Sequence, residues 1–123
     1  MIKVLIDRIA SILQTHIDVV RNLENLALAA SAGGSIAELR SEREKLRELR
    51  RRLISDLTHA LELNPQGEDL LDLRALAGYY IEAGSRREYN ALVTAGKVIS
   101  VDEDLREIEE AKNIARRLIE TPT

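Results

Sequence analysis

Apolar residues recur at alternating spacings of three and four along the first quarter of the chain, and His16 occupies one step of the series. This spacing places them on one face of an amphipathic helix, and a second apolar row widens that face to the width a globular core requires. The series is Ile2, Leu5, Ile9, Ile12, Val19, Leu23, Leu26 and Ala30, with Ile6, Leu13, Val20 and Ala27 beside it. The pattern predicts a helix over about 2–30 that ends before Gly33 and Gly34.

A second long stretch runs from Ser35 to Pro65 and contains neither Gly nor Pro between these residues. Ser35 and Glu38 form a capping box at its start, where each side chain can bond to a free backbone amide of the first turn. The predicted buried face consists of Leu39, Leu46, Leu49, Leu53, Leu57, Ala60 and Leu61. Because the connection is short, helices over about 2–30 and 36–63 are expected to form an antiparallel hairpin.

Three shorter helices are predicted after the hairpin, over about 67–83, 86–98 and 101–120, from apolar residues at helical spacing. Residues 121–123 are expected to form a frayed tail. The sequence therefore predicts an all-α fold, a single helical-bundle domain over 1–123, in which the long hairpin packs with three shorter helices.

Glycine and serine mark the predicted boundaries between the shorter helices. Gly84 is a typical residue after a helix end, and Ser85 with Glu88 forms a second capping box. These residues predict a break, although one long bent helix remains an alternative. Ser100 and Glu103 form a third capping box at the start of the last helix.

Composition excludes several classes of function. Apolar residues make up 45% of the chain and charged residues 32%, which is typical of a globular protein. The chain has no cysteine, so disulfides and thiolate metal sites are excluded, and no cofactor or metal is expected. The net charge of −3 argues against nucleic-acid binding. No apolar run is long enough for a signal peptide or a membrane span, so we expect a cytoplasmic protein without a membrane partner.

Two arginines lie at positions of the second helix that face the first helix, along the seam between the two, where leucine would pack more simply. They are Arg43 and Arg50, and equal rise along the hairpin places His16 near Arg50. Either the arginine head groups reach water along the apolar surface, or they line a groove that accepts an acidic group. We take these three residues as binding candidates. No nucleophile can be placed beside them, so no catalytic residue is predicted.

A second group of candidates surrounds Gly84. It consists of Tyr79, Tyr80, Arg86, Arg87 and Tyr89. Two adjacent tyrosines of a helix cannot both face one core, so one ring is expected to fill the aliphatic core and the other to be exposed. Exposed tyrosine beside arginine is the composition favoured at hot spots of protein interfaces.

The middle of the chain, about 57–100, resembles a tetratricopeptide repeat. The sequence at 60–65, ALELNP, is similar to the end of such a repeat, and LAGYYIEAG at 76–84 is similar to a first helix with its recurring Leu, small residue, Tyr and Gly. A single unit is visible, and Tyr89 stands where the family has a small residue. In size and long hairpin the chain also resembles the flagellar export chaperones. Both resemblances imply binding of a protein or peptide.

The sequence therefore favours a non-enzymatic helical module for protein–protein interaction, such as an adaptor, a chaperone or an oligomerising bundle. It would bind a protein or a helical peptide, or form a homodimer, through an apolar stripe that the five helices do not fully cover. Two alternatives remain. One is a designed bundle without a biological activity, and the other is a small helical enzyme with arginines lining an anion pocket between helices.

Overall fold

The computed structural model of the protein describes residues 1–122, and all the regular structure in that range is helical. The predicted all-α bundle is confirmed, and the two long helices match their predicted bounds within one residue. Within the described range, no helix has the length and apolar character needed to cross a membrane. The helices are α1 (Ile2–Ser31), α2 (Ile36–Glu62), α3 (Gly67–Tyr79), a π-helical segment (Tyr80–Gly84), α4 (Ser85–Ala95) and α5 (Asp102–Glu120).

The turn between α1 and α2 depends on two glycines. The amide of Gly34 donates to the carbonyl of Ala29 over 2.7 Å, and Gly33 has a φ of +97°, as in a Schellman motif. A Cβ atom on Gly34 would lie 2.7 Å from the Ala29 oxygen, so a larger residue would force the turn apart. The predicted cap follows at once, since the amide of Glu38 donates to Ser35 Oγ over 3.2 Å.

The helices form a four-membered bundle in which α3, the π segment and α4 act as one rod. The order of the helices around the bundle is α1, α2, α5 and the α3–α4 rod, and the rod packs against α1 again. The ion pairs between α2 and α5 run from Arg47–Asp104 to Arg51–Glu107. Residue numbers therefore increase in the same direction along both helices, which are parallel. The segment between α2 and α3 crosses one end of the bundle diagonally, with Pro65 buried.

The helix does not break at Gly84. The amide of Ser85 donates to the carbonyl of Tyr80, five residues earlier, and the helix continues directly into α4. Ser85 is therefore not a cap, because its hydroxyl donates to the Ile81 carbonyl over 2.9 Å. The alternative of one continuous helix is the correct one, and the predicted capping box with Glu88 is wrong.

The start of α5 also differs from the prediction. The helix begins at Asp102 after Val101, and no side chain bonds to its first amides, so the predicted cap at Ser100 is wrong. The carbonyl of Ser100 instead accepts a bond from Arg43. At the other end, the carbonyl of Thr121 accepts a bond from Arg74. Thr123 lies outside the described residues.

The apolar stripe of the hairpin is covered. Every position predicted to face inward from α1 and α2 is buried or half-buried, because the α3–α4 rod and α5 pack over the hairpin. The structure therefore corrects the expectation of an uncovered stripe on these two helices. The apolar residues of the core are aliphatic apart from Tyr80, whose side chain is 1% exposed.

Candidate functional site

A cluster of polar side chains lies at the centre of this aliphatic core, and we call it the buried network. Its members come from α1, α2, the π segment, α4 and α5, and none is more than 2% exposed. They are His16, Arg50, Tyr80, Glu88 and Asp104. Buried charges are stable in proteins when they are paired and hydrogen-bonded, so the partners of each group decide what the cluster can do.

Glu88 is the centre of the network. Its Oε1 lies 3.0 Å from His16 Nε2 and accepts a bond from the Tyr80 hydroxyl over 3.2 Å. Its Oε2 accepts a bond from Arg50 Nε over 3.0 Å. His16 and Tyr80 also contact each other edge to face, with ring centroids 5.9 Å apart. One carboxylate thus joins α1, α2, the π segment and α4.

Arg50 extends the network from Glu88 to α5. Its two terminal nitrogens donate to Asp104 Oδ1 over 3.1 and 2.7 Å, and one of them also donates to Glu107 Oε1 over 3.0 Å. The bond to Glu88 crosses the bundle diagonally, whereas the bonds to Asp104 and Glu107 join neighbouring helices. All three guanidinium nitrogens are therefore bonded to carboxylates of the protein itself.

Further arginines of α2 close the network on the solvent side. Arg47 donates to both oxygens of Asp104 over 3.0 and 2.8 Å, and its side chain is 18% exposed. Arg43 lies 3.8 Å from Asp104 and is 14% exposed. Together with Arg50, these arginines therefore place positive charge beside the buried carboxylate of Asp104.

The π segment aligns Tyr80 with Glu88. In a regular α-helix, eight residues at about 100° per residue would leave the two side chains roughly 80° apart. A π turn contains one residue more than an α-helical turn. The eight residues from Tyr80 to Glu88 therefore rotate the helix as far as seven α-helical residues would, which is only about 20° short of two full turns. Gly84 belongs to the same geometry, since a Cβ atom there would lie 3.2 Å from the Tyr80 ring.

The pKa is shifted in Tyr80 of the network and in Arg47, which bonds to Asp104. The pKa of the Tyr80 hydroxyl is raised, first because burial disfavours the phenolate and then because the Glu88 carboxylate repels it. The pKa of Arg47 is also raised, chiefly by its hydrogen bond to Asp104.

The raised pKa of Tyr80 predicts a loss of stability in alkaline solution. Above about pH 10 the unfolded chain releases the tyrosine proton and the folded chain keeps it. The difference in unfolding free energy between wild type and Tyr80→Phe is therefore expected to fall by about 1.4 kcal/mol per pH unit above that pH. Urea unfolding from pH 8 upward measures this. Tyr89→Phe, which alters an exposed ring, should keep the wild-type slope, and parallel curves for wild type and Tyr80→Phe would contradict the assignment.

The structure divides the predicted site residues into a buried and an exposed set. His16 and Arg50 bond to the two oxygens of one carboxylate, and Tyr80 joins them, as the inward ring of the tyrosine pair. Arg43 points toward α5 and not into the seam with α1. Tyr79, Arg86, Arg87 and Tyr89 are exposed.

The exposed candidates lie on two different sides of the α3–α4 rod. Tyr79 and Arg87 lie beside His16 at the seam with α1, where the gap has no room for a water molecule. Arg86 and Tyr89 line a groove between α4 and α5, which we call the α4–α5 groove. Its volume is about 370 Å³, and its lining residues are Ile81, Ser85, Arg86, Tyr89, Ile108, Glu109 and Lys112.

The sequence reasoning missed the carboxylates Glu88, Asp104 and Glu107. The sequence predicts Glu88 as part of a capping box and assigns no role to Asp104 or Glu107. A usable signal existed, because Asp104 falls on the inward face of α5, three residues after Val101 and four before Ile108. A buried acidic residue at such a position needs a positively charged partner, and an inward-facing arginine of another helix can supply it.

The described residues contain no group of three or more His, Asp or Glu side chains arranged to hold a metal ion. Comparison with protein-family models, with curated proteins and with solved structures gives no match. The resemblances to tetratricopeptide repeats and to flagellar export chaperones therefore remain predictions from the sequence.

Proposed function

We propose that the protein is a non-enzymatic helical interaction module that binds a partner protein or helical peptide in the α4–α5 groove. The observation that carries this proposal is the exposure of Tyr89 (48%) beside Arg86 on the wall of the groove. Val93, four residues further along the same helix face, is 46% exposed and extends the apolar surface. Tyrosine and arginine next to apolar area are enriched at interface hot spots.

The bonding of Arg50 supports binding over catalysis. An anion pocket between helices needs arginine donors that are free to meet a substrate. The nitrogens of Arg50 are already bonded to Glu88, Asp104 and Glu107, so the protein's own carboxylates occupy the place of the anion. The residues left to meet another molecule are on the surface. A cytoplasmic location is part of this proposal.

The irregular features support a natural chain over a designed one. Designed bundles usually have regular helices and an apolar core, because strain and half-satisfied polar networks reduce stability. This chain has a π segment in the middle of a helix and a network of charges at the centre of its core.

A display library of helical peptides, selected on the immobilised full-length protein, tests the proposal. Selected peptides are expected to bind wild type and to bind Tyr89→Ala at least about 30-fold more weakly, which corresponds to a hot spot of about 2 kcal/mol. Tyr79→Ala is the matched control, since Tyr79 is an exposed ring of the same rod at the seam with α1. Peptides that bind wild type and Tyr89→Ala equally, or a library that yields no binder, would contradict the proposal.

A further inference from the structure

The outward face of α1 is almost free of charge over most of its length, unlike the outward face of α2. Between residues 10 and 31 of α1, two of the exposed positions are charged, Asp18 and Arg21. The exposed positions are Ala10, Ser11, Gln14, Thr15, Asp18, Arg21, Asn22, Asn25, Leu28, Ala29 and Ser31. On α2 the exposed charged residues are Glu38, Arg40, Glu44, Lys45, Glu48, Arg51, Arg52 and Glu62. Lys, Glu and Asp are depleted in protein interfaces relative to the rest of the protein surface.

The two charges of this face are placed so that a second copy of the chain could satisfy both. Within one chain, Asp18 and Arg21 are 3.8 Å apart at their nearest atoms, and their side chains are 67% and 57% exposed. If a second α1 packs antiparallel about a two-fold axis between these residues, Asp18 of each copy meets Arg21 of the other. Such a contact is isologous, with the same patch used on both sides.

The same register brings the uncharged residues of the face together. Residues of the two copies face each other when their residue numbers add up to 39. Leu28 of one copy therefore meets Ser11 of the other, and Gln14 meets Asn25. Leu28 is 62% exposed, and in this pairing its side chain is shielded from water against a small residue. Small residues at the contact also allow two helices to approach closely.

We propose that the outward face of α1 binds a second copy of the chain as an antiparallel, two-fold homodimer. This goes beyond the proposed function, because the face is separate from the α4–α5 groove. The paired segment of about 20 residues is about 30 Å long. A strip of this length and about 10 Å width is smaller than the roughly 800 Å² per partner of a standard interface, so the dimer dissociates on dilution.

Sedimentation equilibrium of the full-length chain over a range of concentrations tests the dimer. The mass is expected to rise from 13.8 kDa toward twice that value. Asp18→Arg places like charges opposite each other and is expected to weaken the dimer at least tenfold. The double variant Asp18→Arg/Arg21→Asp exchanges the charges and should restore it, with circular dichroism confirming the fold. A wild-type chain that stays monomeric at all concentrations, or an exchange that fails to restore the dimer, would overturn the proposal.

Crosslinking gives an independent test of the surface, because the chain has no cysteine of its own. Asn22→Cys, near the two-fold axis, is expected to give a crosslinked dimer with a short bis-maleimide. Asn90→Cys, exposed on α4, is the control and should give none. Tyr89→Ala should leave the dimer intact, which separates this proposal from peptide binding in the groove. A dimer that is lost in Tyr89→Ala and retained in Asp18→Arg would show that the groove is the dimer surface and that the proposal is wrong.

Discussion

Replacement of Arg50 by methionine is expected to destabilise the fold by about 3–5 kcal/mol, because it leaves the buried Glu88 without its arginine partner and Asp104 with Arg47 as its remaining bonded arginine. Glu88 and Asp104 are both 0% exposed, and neither can turn to water when the guanidinium is lost. Methionine retains most of the apolar stem, so the effect reports the charge and its bonds more than a cavity. Since domains of this size are stable by about 5–15 kcal/mol, the change should lower the melting temperature by roughly 10 °C or more.

Two further variants separate lost charge pairing from a general disturbance of the core. Arg51→Met removes the next arginine of α2, whose side chain is 52% exposed, and should change the stability much less than Arg50→Met, because water screens exposed ion pairs. Adding Glu88→Gln and Asp104→Asn to Arg50→Met removes the buried negative charges as well and should recover part of the lost stability. Chemical unfolding of the four proteins measures these differences. A triple variant less stable than Arg50→Met would show that the network stabilises the fold through its hydrogen bonds and not through charge balance.

The sequence predicts the long helices well because their boundaries depend on local signals that agree with tertiary packing. The apolar spacing of α1 and α2, the two glycines of the turn and the cap at Ser35 all indicate the same hairpin. Each signal acts within a few residues of the backbone it determines. The hairpin bounds could therefore be predicted within one residue.

The capping boxes show where local signals fail. Serine followed three residues later by glutamate predicts caps at Ser35, Ser85 and Ser100, and a cap forms at the first. After Ser85 the glutamate cannot bond to a backbone amide of a helix start, because the Glu88 side chain bonds to His16, Tyr80 and Arg50 in the core. Contacts with distant helices decide the backbone there, and they are invisible to a local pattern. For the same reason the π segment could not be predicted.

Part of the buried network was within reach of sequence reasoning. The seam position of Arg50 identified it as unusual, and the hairpin register placed it near His16. The partner on α5 was predictable in principle from the inward position of Asp104. What could not be predicted is the packing order of the bundle, which places α5 beside α2, because loop lengths alone allow α5 to pack beside other helices.

Deletion of Glu82 is expected to leave the fold intact, whereas deletion of Gln14 is expected to unfold the protein. Glu82 is an exposed residue of the π segment, and removing one residue there converts the π turn to a regular α-helical turn. Tyr80 and Glu88 then stay on the same face, because seven α-helical steps fall only about 20° short of two turns. We expect the stability to change by about 1 kcal/mol, the cost of a modest local adjustment.

Gln14 is also exposed, but α1 is a regular α-helix at this position and contains no π turn that a deletion could convert to an α-helical turn. Its deletion rotates one half of α1 by about 100° relative to the other. Either Leu5 and Ile9 or Val19 and Leu23 then leave the core, and burial of each such side chain contributes about 1.5–3 kcal/mol. The summed loss approaches the whole stability of a domain of this size. Thermal unfolding followed by circular dichroism compares the two deletions. If both proteins unfold alike, the extra residue of the π segment is required in its own right, and the alignment of Tyr80 with Glu88 does not depend on helix phase alone.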